Sequence, residues 1–545
     1  MALFNFATAS AQVVEESRLG ATLLELPFDQ RVKRAGEATA MRGLYPASAY
    51  RYHAARLLAY LLCAVGFLLG SAHAPLLSDF DQPDAFLRLT VFTALTEICG
   101  FGGLTGPLGA GQATLAPLWY RFAPGTLKQP LVPCLPRRRN AFDIVLFSIY
   151  FVSMLGTLLW SGAYEVRIWL ASVSVLLLTL LCVIDRSAYT GSLGAYYYPL
   201  LLCQVFGGRS SKVECQLVQL AHLFMAGLGK LGPWFRHVTP SMVGLCPWAP
   251  RCLKMRLFKQ EAGVHADILR PSRLSDCLSI LGVALELVCP IAMACGSKQI
   301  RLLGVCLAVS LHLYVIFVFA PGAVGEWNAF NAAATIYLFA YDGVSWHGLS
   351  ASPWPISAFV FGTVYVAPIL GNLQPDWLGN QFTLRKYTGN HPYHTFLLRR
   401  KAVHKMASIR TYSSLSAAIP PPSANLLMSG ALHSLIRGRL NLRRLTDILS
   451  LVSEDSGSSI DDFVRVDLGF IFSQTYLDTT FWDGSLEVTL QECDFAPREI
   501  YSLRISSFPT FSSWPHRAPW ELRDVGAGRQ LARGHVYADE SWICA

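Results

Sequence analysis

Glu97, His222, Lys230, Glu286 and His312 stand inside strongly apolar stretches, and Glu326, Trp327 and Asn328 sit at the edge of another, in PGAVGEWN. A charge inserted into hydrocarbon costs about 2.5–3.5 kcal/mol, so residues of this kind are retained for pairing or for chemistry. A lysine removed from water loses affinity for its proton and can serve as a general base. A carboxylate such as Glu286 or Glu97 could pair with it, and a histidine could pass a proton on. On this reading Lys230, Glu286 and His312 are the candidate catalytic residues. Glu97, His222, Glu326, Trp327 and Asn328 are the candidate binding residues. The plainer alternative is that Lys230 snorkels to the membrane surface while Glu286 and His312 are held in structural hydrogen bonds.

The stretch from Gln216 to Met242, QLVQLAHLFMAGLGKLGPWFRHVTPSM, is the best candidate to organise the site. At about 100° per residue, Gln219 and Lys230 share one helix face to within about 20°, with His222 about 80° away from Lys230. No metal site is expected. The chain has 14 cysteines but no CxxC, and His391 and His394 have no acid or cysteine beside them. Free cysteine behaves here as a small buried hydrophobe. The glycine run at 100–111 lacks the Gly-Lys-Ser/Thr of a phosphate loop and reads as a turn. No cofactor is indicated by any motif. The tail carboxylates Asp461, Asp462, Asp467, Asp478 and Asp483 have no nucleophile or base in company and read as solvated.

These side chains need a membrane bundle to hold them. Of the 545 residues 52% are hydrophobic and only 15% charged, against about 25% charged in soluble domains. Apolar runs of the length that crosses ~30 Å of hydrocarbon predict about 8–10 transmembrane helices. Their approximate extents are 52–73, 86–104, 141–161, 166–184, 193–206, 213–231, 274–295, 300–319, 327–341 and 355–373, the fifth being short and tyrosine-rich. The net charge of +9 is concentrated in the N-terminal arm, 105–141, 232–273 and the region after 375. Those segments read as cytosolic by the positive-inside rule, which places both termini in the cytosol and excludes nucleic acid as a partner. The first residues lack a basic segment followed by an apolar core, so no cleavable signal peptide is expected.

The expected organisation is a cytosolic arm at 1–50, a multi-span domain at 51–375, a basic and Pro/Ser-rich linker at 376–424 and a small soluble domain at 425–545. Alternation in FVRVDLGFIF, SLEVTLQEC and YSLRISSF predicts strands, and LLMSGALHSLIRGRL predicts a helix. The fold class is therefore an α-helical integral membrane protein with a small α+β cytosolic C-terminal domain. Its partners would be the lipid bilayer, a lipid-soluble small molecule and a protein docking on the tail.

Several segments together resemble a family of multi-pass transmembrane proteins, domain of unknown function 3556. They are LTEICGFGGLTGPLG, YRFAPGTLKQP, GKLGPWFRHVTPSM, ILRPSRLSDCLSILGVALELVCP, HLYVIFVFAPGAVGEWNAFN, LGNLQP, YTGNH, LQECDFAPREIYSLRISSFP and RGHVYADE. The resemblance covers nearly the whole chain and implies architecture more than chemistry. A second, local likeness is carried by FMAGLGKL, which is similar to a helix of vitamin K-dependent gamma-carboxylase and its horizontally transferred transmembrane domain group. That likeness implies a base role for Lys230 toward a hydroquinone-type cofactor, without implying glutamate carboxylation. Two functions follow as expectations: a membrane-embedded enzyme for a quinone- or prenyl-like substrate, or a non-catalytic transporter, lipid-binding protein or scaffold.

Overall fold

The computed structural model describes residues 47–70, 83–99, 101, 116–132, 134–192, 194–207, 211–246, 248–257, 271–318, 325–344, 353–378, 383–385, 388, 390, 392–408, 442–467, 490, 493–512 and 515–537. The arm before residue 47, most of the 100–111 glycine run, the Pro/Ser segment and the helix expected at 426–440 lie outside these residues, as does nearly all of SLEVTLQEC.

Ten apolar helices pack together: α1 Ala47–Gly70, α2 Pro83–Ile98, α3 Ala141–Leu159, α4 Tyr164–Ile184, α5 Gly194–Gly207, α6 Lys212–Leu228, α7 Arg273–Ala294, α8 Lys298–Val318, α9 Gly325–Phe339 and α10 Trp354–Leu373. Among the described residues five of them, α3, α4, α7, α8 and α10, are long and apolar enough to cross a membrane. These five carry outward apolar side chains such as Leu176, Ile280, Leu303 and Phe361. α5 is shorter, contains Pro199, and is buried on almost every side from Gly194 to Val205. A helix buried all round belongs in the middle of a bundle, and three tyrosines there lower its apparent hydropathy without lowering its burial.

Local chemistry sets the ends. α3 opens on a capping box between Asn140 and Asp143, and α7 opens with the Ser272 hydroxyl accepting from the Ser275 N–H. α10 is interrupted by a π-turn, Gly362–Val366, immediately before Pro368. Proline has no N–H to donate back to the preceding turn, and a widened turn accommodates that loss. The Tyr365 hydroxyl on this turn donates to the Leu217 carbonyl of α6, 2.8 Å away.

A five-stranded antiparallel sheet caps one end of the bundle in the order β2-β1-β3-β4-β5. Its strands are β1 Tyr393–Arg399, β2 Phe463–Asp467, β3 Ile500–Ile505, β4 Arg517–Asp524 and β5 Arg529–Tyr537. β2 and β3 fall in two of the stretches whose alternation predicts strands. β1 lies inside the 376–424 stretch read as linker, yet it pairs on both sides, with Leu397 opposite both Arg465 and Tyr501. The helix α11 Leu442–Ser456 packs Ile448, Leu449 and Val452 on one face of the sheet. Alternate residues cover the two faces. Leu397, Tyr501 and Leu503 face α11 together with Trp234, Phe235 and Val283 of the bundle. Phe396, Leu398 and Ile500 face Leu127, Cys493 and Phe495. The basic segments 116–140 and 232–257 thus meet the sheet at the same end of the bundle.

Candidate functional site

The C-terminal end of α6 carries Lys230. Its amide closes the last turn on the Gly227 carbonyl at 3.0 Å. The Lys230 ammonium forms an ion pair with the Glu286 carboxylate of α7 and lies 5.1 Å from the centre of the Phe235 ring. Gly227 makes this pairing possible, because a Cβ there would stand 3.0 Å from the Glu286 Cβ and 3.1 Å from Leu287. Lys230 is only 6% exposed. Its side chain turns into the bundle, to a carboxylate more than three helical turns along α7 from Arg273. The second carboxylate oxygen, Oε2 of Glu286, is buried without a hydrogen-bond partner.

His312 of α8 is buried close enough to Lys230 for the ammonium to act on it electrostatically. Its Nδ1 lies 2.8 Å from Oδ1 of Asn328 on the first turn of α9. With the amide oxygen accepting, Nδ1 carries the proton and Nε2 presents its lone pair, and Nε2 has no partner. Lys230 and Glu286 thus pair directly, and His312, bonded to Asn328, stands within electrostatic reach of the ammonium.

The neighbouring residues of α9 point to other partners. Glu326 pairs with Arg56 of α1 across 2.7 Å, both side chains buried. Tyr60 hydrogen-bonds Thr93 at 2.7 Å and feels the charges of Glu326 and Glu97, which gathers these groups into a second polar centre between α1, α2 and α9. Trp327 stands between the two centres. It packs edge-on to Tyr196 at 4.0 Å and lies 6.1 Å from His222, whose ring also meets Tyr196 at 5.3 Å. Neither His222 nitrogen finds a side-chain partner, and the Ala195 backbone is the polar group beside it.

The eight residues singled out in the sequence thus do not share one centre. Lys230, Glu286, His312 and Asn328 form the first, Glu97 and Glu326 the second, and His222 and Trp327 lie between. Arg56, Tyr60, Tyr196 and Asn331 were not expected. Arg56 carried a readable signal, as an arginine inside the first apolar stretch. The tyrosines carried none, since a buried tyrosine and an interfacial one have the same local sequence. Among the described residues no three His, Cys, Asp or Glu side chains gather in a way that could hold a metal ion.

Residues 8–510 match the family described as transmembrane protein of unknown function (DUF3556). The chain belongs to this family. It is an integral membrane protein, as the family description and the apolar helices agree. No curated protein and no solved structure matches it, so nothing in these comparisons carries the local likeness of FMAGLGKL to the carboxylase.

Proposed function

We propose that the protein is a membrane-embedded enzyme acting on a lipid-soluble, quinone- or prenyl-type substrate, with Lys230 as the base. The observation that carries this reading is the buried Lys230–Glu286 pair with His312 in electrostatic reach, Glu286 Oε2 and His312 Nε2 both being unpartnered. An ammonium is not a base. The step therefore starts from the pair with the proton passed from Lys230 to Glu286, a neutral amine beside a neutral acid. The amine can then take a proton from a ring hydroxyl, while His312 Nε2 and Glu286 orient the substrate oxygens. Of the candidate binding residues, His222 and Trp327 would pack the apolar part of the substrate and Asn328 would hold His312, while Glu97 and Glu326 belong to the second polar centre.

In the orientation that follows from the basic segments, Lys230 lies in the cytosolic half of the bundle, and both termini are cytosolic. The sheet leaves β2 and β5 as edge strands on that side, where a protein partner could dock.

The test is mass spectrometry of the lipids and quinones that co-purify with the wild type, Lys230→Met and Lys230→Arg. The expected result is a bound redox or prenyl lipid in the wild type, lost in Lys230→Met with membrane yield intact. An unchanged lipid complement in both variants would overturn the base role and leave a non-catalytic transporter, lipid-binding protein or scaffold.

A further inference from the structure

α6 and α9 face each other along a line of polar side chains. On α6 the line is Gln216 and Gln219, with His222 beside it and Lys230 just past the helix end, and on α9 it is Asn328, Asn331 and Thr335. Spacings of three and four residues keep Gln216 with Gln219 on one face of α6, and Asn328, Asn331 and Thr335 on one face of α9. The Gln216 Nε2 donates to the Leu338 carbonyl at 2.6 Å and approaches that of Asp342 at 3.5 Å. The Gln219 Nε2 donates to the Asn331 Oδ1 at 2.8 Å, and the Asn331 Nδ2 donates to the Trp327 carbonyl at 2.7 Å. Asn328 on the same face then bonds His312, which stands within electrostatic reach of Lys230.

Each step leaves a polar atom over. Gln216 Oε1, Gln219 Oε1, Thr335 Oγ1, His312 Nε2 and Glu286 Oε2 are buried with no protein partner. Elsewhere in the bundle single atoms such as Gln204 Oε1 and Ser357 Oγ also lack a partner, but many hydroxyls are satisfied within or between helices. The hydroxyls of Thr90, Thr93, Thr157 and Thr179 each bond the carbonyl four residues back, and Ser153 bonds Ser174 across α3 and α4. Thr335 does not make that bond. A buried polar group left unpaired costs about 1–3 kcal/mol, and a row of them along one helix interface is the arrangement that ordered water satisfies.

We propose that this line is a hydrated column, a file of water that connects the Lys230–Glu286 pair to the aqueous phase at the far end of the bundle, where Lys212 pairs with the exposed Asp342. The column is blind at the other end. There the Trp234 indole donates to the Gly229 carbonyl at 3.0 Å, and Thr388 and Arg385 pack against Gly229. Its use as a proton route rests on the base role of Lys230, but its hydration does not.

Hydroxyl-radical footprinting of the protein in nanodiscs tests it without any substrate, because radicals formed from bound water label the side chains that touch it. His222 and Trp327 should be oxidised severalfold faster than Trp234, which is also buried but lies at the blind end. In the Gln219→Leu/Asn331→Leu variant, labelling of Trp327 and His222 should fall severalfold while that of Trp234 is unchanged. If in the wild type Trp327 and His222 label no faster than Trp234, the interface is dry and the proposal fails. If the double variant folds and labels as the wild type does, the route through Gln219 and Asn331 is wrong. A positive footprint beside an unchanged lipid complement in Lys230→Met would keep the column and remove the enzyme.

Discussion

Arg56 and Glu326 show what a charge inside the bundle demands. Each is buried, and each is the other's ion-pair partner across α1 and α9. Removing one charge leaves its partner uncompensated in a medium that solvates it poorly, at a cost of about 3–5 kcal/mol. Arg56→Met should therefore lower the thermal midpoint of the detergent-purified protein sharply. Arg56→Met/Glu326→Gln should recover most of the loss, and a midpoint no better than that of the single variant would show that the pair is not what holds Arg56. Asp185, just beyond α4, makes the same point outside the spans. Burial raises its carboxyl pKa, but the Arg139 guanidinium and the Ser187 hydroxyl outweigh burial and hold it below the usual carboxylate range. Arg139 reaches Asp185 at 2.7 Å and also the Leu127 carbonyl at 2.7 Å, so the pair ties segment 116–140 to the bundle. A carboxyl whose folded pKa lies below its unfolded value stabilises the fold above the unfolded pKa, roughly 3.9. That contribution is lost as the pH falls through the folded value. The wild type should lose stability below about pH 4 on this account, and Asp185→Asn should be less stable at neutral pH with a flatter acid limb in a thermal-shift series.

At the level of helices, the glycines decide how closely the site-bearing elements approach. Gly227 brings α6 against Glu286, and Gly304 brings α8 against α7, where a Cβ would stand 2.9 Å from the Ala292 Cβ and from the Met293 backbone nitrogen. Small residues let helix backbones approach in a bilayer, where packing supplies much of the association energy. Gly304→Val should cost about 1–3 kcal/mol, because backbone atoms cannot move aside as a side chain can. Gly227→Leu should separate Lys230 from Glu286 and lower the unfolding midpoint further than Gly227→Ala. These helices were legible in the sequence because hydropathy integrates over a whole span, which absorbs single polar residues. The same averaging hid the use of α5, whose tyrosines pack on Trp327 and Phe330. It could not show β1 either. Tyr393–Arg399 sits among basic residues, and its strand character comes from pairing with partners about seventy and a hundred residues later in the chain. The meeting of Lys230 with Glu286 was legible only as a permitted pairing, since which helix faces which is a property of packing.

The whole molecule is joined at the stretch that bears the site. Trp234, four residues after Lys230, is 1% exposed and stacks parallel to Phe508 with ring centres 5.9 Å apart. His516 meets the same indole edge-on at 5.4 Å. Arg385 adds hydrogen bonds to the carbonyls of Gly371 at the end of α10 and Phe508 in the tail, both at 2.6 Å. Residues 8–510 of the family match include both sides of this contact. The tail therefore belongs to the end wall of the site, and loosening it should be felt at Lys230. Trp234→Ala removes a large buried ring at a cost of about 3–5 kcal/mol and leaves the Gly229 carbonyl without its donor. Trp234→Phe keeps a stacking ring and loses only the hydrogen bond, for about 1 kcal/mol. Limited proteolysis should release the C-terminal sheet much faster from Trp234→Ala than from the wild type, with Trp234→Phe close to the wild type. In the Ala variant the collapse of the α6 end should also raise footprinting at Phe235, which packs against Lys230. Rapid release of the sheet with Phe235 unchanged would show instead that the tail is tethered beside the site and does not hold it.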